Sequence, residues 1–386
     1  MKVSQRAQSI APFLAMEFGK HAAELEAAGH RVIKLNLGEP DFGAPPAVLT
    51  ALQDAAAQAA LPYTGALGLP ALREAIAGFY QSMHGVHVAP ERIVVTAGAS
   101  AALLLACAAL VERDAEVLLP DPSYPCNRHF VAAFNGKPVL IPSGPAERFQ
   151  LSAAMVEAHW TERTRGVLLA SPSNPTGTSI LPEELARTLD VVRRHRGFAL
   201  VDEIYQGLSY GAAPQTALSQ GEDVIVINSF SKYFNMTGWR LGWLVVPPAM
   251  LPAIEKLAQN FFICASSIAQ HAALACFRPE TLAIAEARRQ EFERRRDYLV
   301  PELLALGLQI PVMPDGAFYV YADCSALTHD SDALARDVLD KTGVVLTPGL
   351  DFGSAAAHRF LRISYATSMD NLREAVARLR SYFGKA

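Results

Sequence analysis

Short apolar runs recur along this chain, each followed by a polar, turn-forming cluster and, in several cases, by a helix-forming stretch. Ile93-Val-Val95 leads into Thr96-Ala-Gly-Ala-Ser100 and then into Ala101 to Val111, an alanine- and leucine-rich stretch that reads as helix. Glu116-Val-Leu-Leu119 leads into Pro120-Asp-Pro-Ser-Tyr-Pro125, and Gly166-Val-Leu-Leu-Ala170 into Ser171-Pro-Ser-Asn-Pro-Thr-Gly177. Gly197-Phe-Ala-Leu-Val201 leads into Asp202-Glu-Ile-Tyr205, and Val224-Ile-Val-Ile-Asn228 into Ser229-Phe-Ser-Lys232. This alternation predicts an α/β fold with a mostly parallel sheet. In such sheets ligands bind beyond the carboxyl ends of the strands, so the five polar clusters are expected to converge on one crevice.

One connection breaks the pattern. The twelve residues from Ser229 to Arg240 are too few and too irregular for a helical crossover, so Leu241-Gly-Trp-Leu-Val-Val246 is expected to run antiparallel to its neighbour. Residues Pro252 to Leu306 are rich in helix formers, punctuated by Pro279 and Pro301, and suggest a helix linking two domains. The alanine-rich run Ala55 to Ala60 also reads as helix. The last third carries Val320-Tyr321, Gly343-Val-Val-Leu346, Arg362-Ile-Ser364 and a closing helix from Asp370 to Tyr382, which together predict a compact α+β domain. No internal repeat is visible.

Composition narrows the function. At 386 residues the chain exceeds one ordinary core, and 51% hydrophobic with 19% charged residues suits a well-packed soluble enzyme. The 34 basic and 38 acidic residues give a net charge of −4, which removes the electrostatic case for nucleic acid or anionic membrane and favours small-molecule partners. Cys107, Cys126, Cys264, Cys276 and Cys324 are scattered, without a Cys-x-x-Cys pair, so a metal site is not expected. No signal-like segment opens the sequence and no apolar run reaches membrane-spanning length, so a reducing cytoplasm is the expected home.

The candidate chemistry centres on Lys232, set among Ser229, Ser231 and Arg240. A lysine that forms a Schiff base with an aldehyde cofactor needs partial desolvation and nearby phosphate donors, although a solvated loop lysine is the simpler alternative. Asp202, at a strand tip, could keep a pyridine nitrogen protonated, or could be a helix cap or surface ion pair. Asn174 and Tyr205 could donate to a ring phenolate, Asn174 otherwise being a turn residue. Gly98-Ala99-Ser100 before a helix could cradle phosphate, or mark only a tight turn. Tyr124 could stack on a cofactor ring or simply pack in the core. Arg362, between apolar residues, demands an anion: a substrate carboxylate or an internal acidic partner. Gly38, in Leu35-Asn-Leu-Gly-Glu-Pro-Asp41, permits a close backbone contact or forms an ordinary turn.

Taken together, these motifs resemble the class I/II aminotransferases, pyridoxal-phosphate enzymes of fold type I. The resemblance runs from Leu35 to Phe42 through Tyr63-Thr-Gly-Ala-Leu-Gly68, Ser173-Asn-Pro-Thr-Gly177, Asp202 to Tyr205 and the lysine segment to Arg362-Ile-Ser364. It implies a large domain (46–285) with a seven-stranded, mostly parallel sheet bearing one antiparallel strand. It implies too a smaller α+β domain (286–386) and an N-terminal arm (1–45) that joins it in part. It further implies a homodimer with shared active sites, in which Tyr63 reaches the neighbouring subunit's cofactor phosphate. Lys232 would hold pyridoxal 5′-phosphate as an internal aldimine, then move the proton between substrate Cα and cofactor in a ping-pong transfer from an L-amino acid to a 2-oxo acid. In one bacterial aspartate branch, a lysine in the loop matching Gly98 to Ala102 meets the distal carboxylate; here that position is Ser100. With Ile10 to Met16 apolar, a neutral or hydrophobic donor is expected. A carbon–sulfur β-lyase or racemase on the same fold is the alternative, and a DNA-bound regulator is disfavoured because no basic patch accompanies the fold.

Overall fold

Strands covered on both faces should be apolar through their middles, and Val117 to Leu119, Val167 to Leu169, Ala199 to Val201 and Ile225 to Ile227 are all apolar and buried. The computed structural model describes residues 1–58, 60–211 and 215–384. Its strands, in chain order, are β1 (Ile33–Lys34), β2 (Ile93–Thr96), β3 (Glu116–Asp121), β4 (Lys137–Pro142), β5 (Thr164–Ala170) and β6 (Phe198–Asp202). They continue with β7 (Ile225–Ser229), β8 (Gly242–Val245), β9 (Tyr319–Asp323), β10 (Val344–Val345), β11 (Thr347–Pro348) and β12 (Phe360–Ser364). The main sheet has seven strands in the order β2-β8-β7-β6-β5-β3-β4. All are parallel except β8, which lies antiparallel between β2 and β7, as the short connection requires.

Because six strands point one way, their carboxyl ends share one edge. Asp121, Ala170, Asp202 and Ser229 are the last residues of β3, β5, β6 and β7. The helix Gly98–Leu110 follows β2 and packs against β7 and β8 with residues buried all around it. It begins three residues earlier than the alanine-rich run suggests, so the small residues Gly98, Ala99 and Ser100 form its first turn.

The remaining strands form smaller sheets. β9, β11 and β12 make a three-stranded antiparallel sheet, and β1 pairs in parallel with β10. The strand expected over Gly343 to Leu346 is only Val344–Val345, and a second short strand just beyond it, Thr347–Pro348, belongs to the other small sheet. Pro252 to Leu306 is likewise divided, into helices Leu251–Phe261, Ser267–Ala273 and Pro279–Ala305, the last of 27 residues with Pro301 inside it. The helix Pro46–Ala56 stops short of the end of its alanine-rich run, and position 59 lies outside the described residues. The edge strand β4 was not expected, because its Lys137 and two prolines hide the strand pattern. Among the described residues, no helix is long and apolar enough to cross a membrane, and no group of three or more metal-ligating side chains occurs.

The largest core cluster reaches from the main sheet into the small sheets and is anchored by fully buried aromatics. Trp243 on β8 donates from Nε1 to the Tyr80 hydroxyl at 3.0 Å and packs its ring 5.0 Å from Phe230. Trp243→Ala removes that bond and leaves a cavity, so it should cost about 3–5 kcal/mol of folding free energy in urea unfolding. A loss below about 1 kcal/mol would show that this layer repacks freely.

Candidate active site

The lysine turn is built by its own hydroxyls. Ser229 Oγ lies 2.8 Å from Ser231 Oγ and 3.0 Å from the Leu241 carbonyl, and it accepts from the Ser231 N–H at 3.0 Å. Asn235 donates to the Lys232 carbonyl at 2.9 Å and is held in turn by Arg288 at 2.6 Å. Lys232 is thereby aimed inward, where its Nζ donates to the Gly38 carbonyl and stands 5.8 and 5.9 Å from the ring centres of Tyr205 and Phe318. Burial lowers its pKa to about 8; Glu39 opposes the shift and Arg240 and Arg362 add to it. It is not a solvated loop lysine.

Asp202 ends β6 and is buried, with Oδ1 accepting the Ile204 N–H at 3.0 Å. Burial raises its pKa to about 6, against the pull of that bond and of Lys232. It neither caps a regular helix nor makes an ion pair among the described residues, so both structural alternatives for it fall away. Tyr205, three residues further along the same turn, shares a 2.8 Å hydroxyl bond with Tyr319. Glu203, between them, has a structural role instead, accepting from Thr216 Oγ1 at 2.8 Å and from the Ala217 N–H at 2.5 Å.

The turn after β2 supplies the anion cradle. Gly98 has φ +79°, and a Cβ there would stand 2.6 Å from Arg240 Nη2, so the guanidinium lies directly against the turn. Arg240 is exposed and donates from Nη1 to the Thr237 carbonyl at 2.8 Å. Gly242 on β8 lies beneath: a Cβ there would come within 2.8 Å of the Gly98 carbonyl carbon. Amides at the start of the helix Gly98–Leu110, facing a cation, make a site for a phosphate.

Arg362 sits mid-strand on β12 and is 1% exposed. Nη1 donates to Asn174 Oδ1 at 2.9 Å and Nη2 to the Asn36 carbonyl at 2.6 Å. Its plane lies between the rings of Tyr319 and Phe352, at 4.5 and 4.8 Å. No carboxylate pairs with it among the described residues, and its buried Nε has no partner. The internal ion pair is thus absent, and the demand for an anion stands.

These groups meet in one cavity of about 270 Å³. Gly38, Ala99, Ser100, Tyr124, Asn174, Asp202, Tyr205, Ser231, Lys232, Arg240 and Arg362 all line it. Gly98 and Ser229 stand just behind, whereas Tyr63 lies outside the lining and is 77% exposed. Sequence reasoning missed Tyr319 and Asn36. Tyr319 hides in an apolar strand, while Asn36, a polar residue between Leu35 and Leu37, was a legible signal.

Comparison with known proteins agrees with this geometry. The model of the family "Aminotransferase class I and II" matches residues 30–379. The chain is 41% identical over 383 residues to a valine–pyruvate aminotransferase of Mycobacterium tuberculosis, covering 99% of this chain and 98% of the relative. It is 31% identical over 395 residues to an aspartate aminotransferase of Bacillus subtilis, covering all of both chains. The solved aspartate aminotransferase of Thermus thermophilus with maleate superposes with a TM-score of 0.92 at 33% identity, over 98% of each chain. With its lysine and carboxylate at the strand ends of that shared fold and its buried arginine in the same cavity, the chain belongs to the class I and II aminotransferase family.

Proposed function

We propose that this aminotransferase moves an amino group from a neutral or hydrophobic L-amino acid to a 2-oxo acid in ping-pong fashion. The observation that carries the reading is the convergence of Lys232, Asp202 and Arg362 on one cavity whose other walls are largely apolar. The family's cofactor is pyridoxal 5′-phosphate, and the chain fits it: the first turn of the helix Gly98–Leu110 faces Arg240, and Lys232 and Asp202 line the same cavity. When bound, that cofactor supplies an aldehyde and an electron-withdrawing ring that takes up the electron pair left at the donor Cα.

The residues divide the remaining work. Lys232 supplies the amine that would hold the aldehyde and, once released, would take the proton from the donor Cα and deliver it to the carbon that had carried the aldehyde. With its pKa near 8, about a tenth of it is neutral at pH 7. Asp202 stays mostly ionised there and would hold a proton on the ring nitrogen. Tyr205 and Asn174 would donate to the ring oxygen, Tyr124 would stack on the ring, and Ser229, Ser231, Arg240 and residues 98–100 would hold the phosphate. Arg362, with Asn174 and the Gly38 backbone, takes the donor carboxylate. We further propose a homodimer in which Tyr63 completes the neighbour's phosphate site.

The donor class follows from the lining. Its charged members among the described residues of one subunit are Asp202, Lys232, Arg240 and Arg362, each with a task of its own, so that subunit offers no further cation to a distal carboxylate. Phe13, Met16, Leu37, Leu103 and Ile204 make the rest of the wall apolar. The relative named for valine and pyruvate supports this reading.

Three measurements test it. Only a neutral amine attacks an aldehyde, so capture of pyridoxal 5′-phosphate by unloaded protein should quicken with pH and level off above about pH 8; a rate still climbing at pH 10 would place Lys232 in water. Lys232→Ala should lower kcat by at least ~10³-fold and Asp202→Ala by at least ~10²-fold with the fold retained, and near-normal turnover in either would remove its assigned role. On a panel of donors, valine, methionine, alanine or phenylalanine should exceed aspartate. A tenfold or greater preference for aspartate would overturn the donor class, and release of ammonia without an acceptor would point to a lyase.

A further inference from the structure

The helix Leu14–Ala27 begins without a cap of its own, because its N-cap residue is Phe13. Its first amides are instead satisfied from the far end of the chain. The Leu14 N–H donates to Asp351 Oδ1 at 2.8 Å and the Ala15 N–H to Oδ2 at 3.1 Å. Asp351 is 2% exposed and ends the short turn Gly349–Asp351. A second latch closes on the same segment, where Asn36 Nδ2 donates to the Ala15 carbonyl at 3.0 Å.

Both latches lead to Arg362. The Asn36 carbonyl accepts from Arg362 Nη2, and Phe352, the residue after Asp351, covers one face of the guanidinium. The latched segment is also a cavity wall: Phe13, Ala15 and Met16 line it, and the Phe13 ring meets Tyr124 edge-on at 6.2 Å. The apolar wall and the carboxylate anchor are thus held in one frame.

We propose that Asp351 is a positioning residue that sets donor preference, its carboxylate holding Phe13 to Met16 at a fixed distance from Arg362 as the wall that meets the donor side chain. The proposal rests on the reading of this cavity as the donor site. A donor gripped at Arg362 reaches the wall only through its side chain, so the position of the wall selects among side chains. Losing a fitted apolar contact of one or two methylenes costs roughly 10-fold or more in kcat/KM.

The test compares the wild type with Asp351→Asn, Asp351→Ala and Phe13→Ala. The ratio of kcat/KM for valine over that for alanine should fall about tenfold in Asp351→Ala, chiefly through the KM for valine. Asp351→Asn keeps one acceptor oxygen and should lie between, and Phe13→Ala should reproduce the selective loss. Hydrogen exchange of the unloaded protein should quicken over residues 10–18 in Asp351→Ala while residues 98–110 stay protected. An unchanged ratio, an equal loss for both donors, or unchanged exchange over 10–18 would overturn the proposal. If Asp351→Ala does not fold, Asp351→Asn decides by the same ratio and the same exchange. A wild type that accepts neither valine nor alanine defeats the donor-site reading instead, and the exchange arm still reports whether Asp351 holds the segment.

Discussion

A guanidinium buried in the middle of a strand must be compensated, and much of the site is arranged around that necessity. Arg362 is met by Asn174 from the loop after β5, by Asn36 from the segment after β1, and by the faces of Tyr319 and Phe352. Each comes from a different stretch of chain, so the arginine ties together parts that share no local sequence. The hydrogen bonds satisfy only part of it, and Nε stays open. A buried cation paired only with neutral groups is prepared to bind a carboxylate.

Burial acts on the other two ionisable groups in opposite directions. Lys232 moves from 10.5 to about 8 and Asp202 from 3.8 to about 6, each toward its neutral form. For Lys232 the unfolded chain binds more protons between about pH 8 and 10.5, so its burden on the unloaded fold eases as pH rises through that window. For Asp202 the folded chain binds more protons between 3.8 and about 6, so its burden grows as pH rises through that range. Between about pH 6 and 8 both burdens are present in full. The unloaded fold therefore holds two destabilised charges near neutrality, which a bound cationic ring and a lysine-held aldehyde would relieve.

The sheet was legible because strands buried on both faces are apolar through their middles, and the strand-end residues were legible because polar groups stand out after such runs. Lys232, Asp202 and Asn174 were visible on those grounds, and Arg362 because a guanidinium stands out within an apolar strand. The edge strand β4 was not, since an exposed edge tolerates Lys137, Pro138 and Pro142 and loses the signal. Tyr319 was masked because a tyrosine in an apolar run reads as core. Asp351 was invisible for a deeper reason: its meaning lies in a bond to an amide 337 positions away, which no local pattern encodes.

The groups that would serve the cofactor and most of those that would face the donor side chain, Leu103 and Ile204 apart, have separate origins in the chain. The former stand at the ends of β2, β5, β6 and β7, fixed by a sheet whose parallel strands leave their carboxyl ends little freedom. The latter come from β12, the turn Gly349–Asp351 and the segment from Phe13 to Gly38, held by side-chain bonds rather than by a sheet ladder. A substitution at Phe13 to Met16 or at Asp351 can move the apolar wall without touching a partner of Lys232 or Asp202, whereas one in the first group disturbs the chemistry whatever the donor. A scaffold divided in this way can keep its reaction while its donor changes. That division is consistent with relatives at 31% and 41% identity that carry the names of different amino acids.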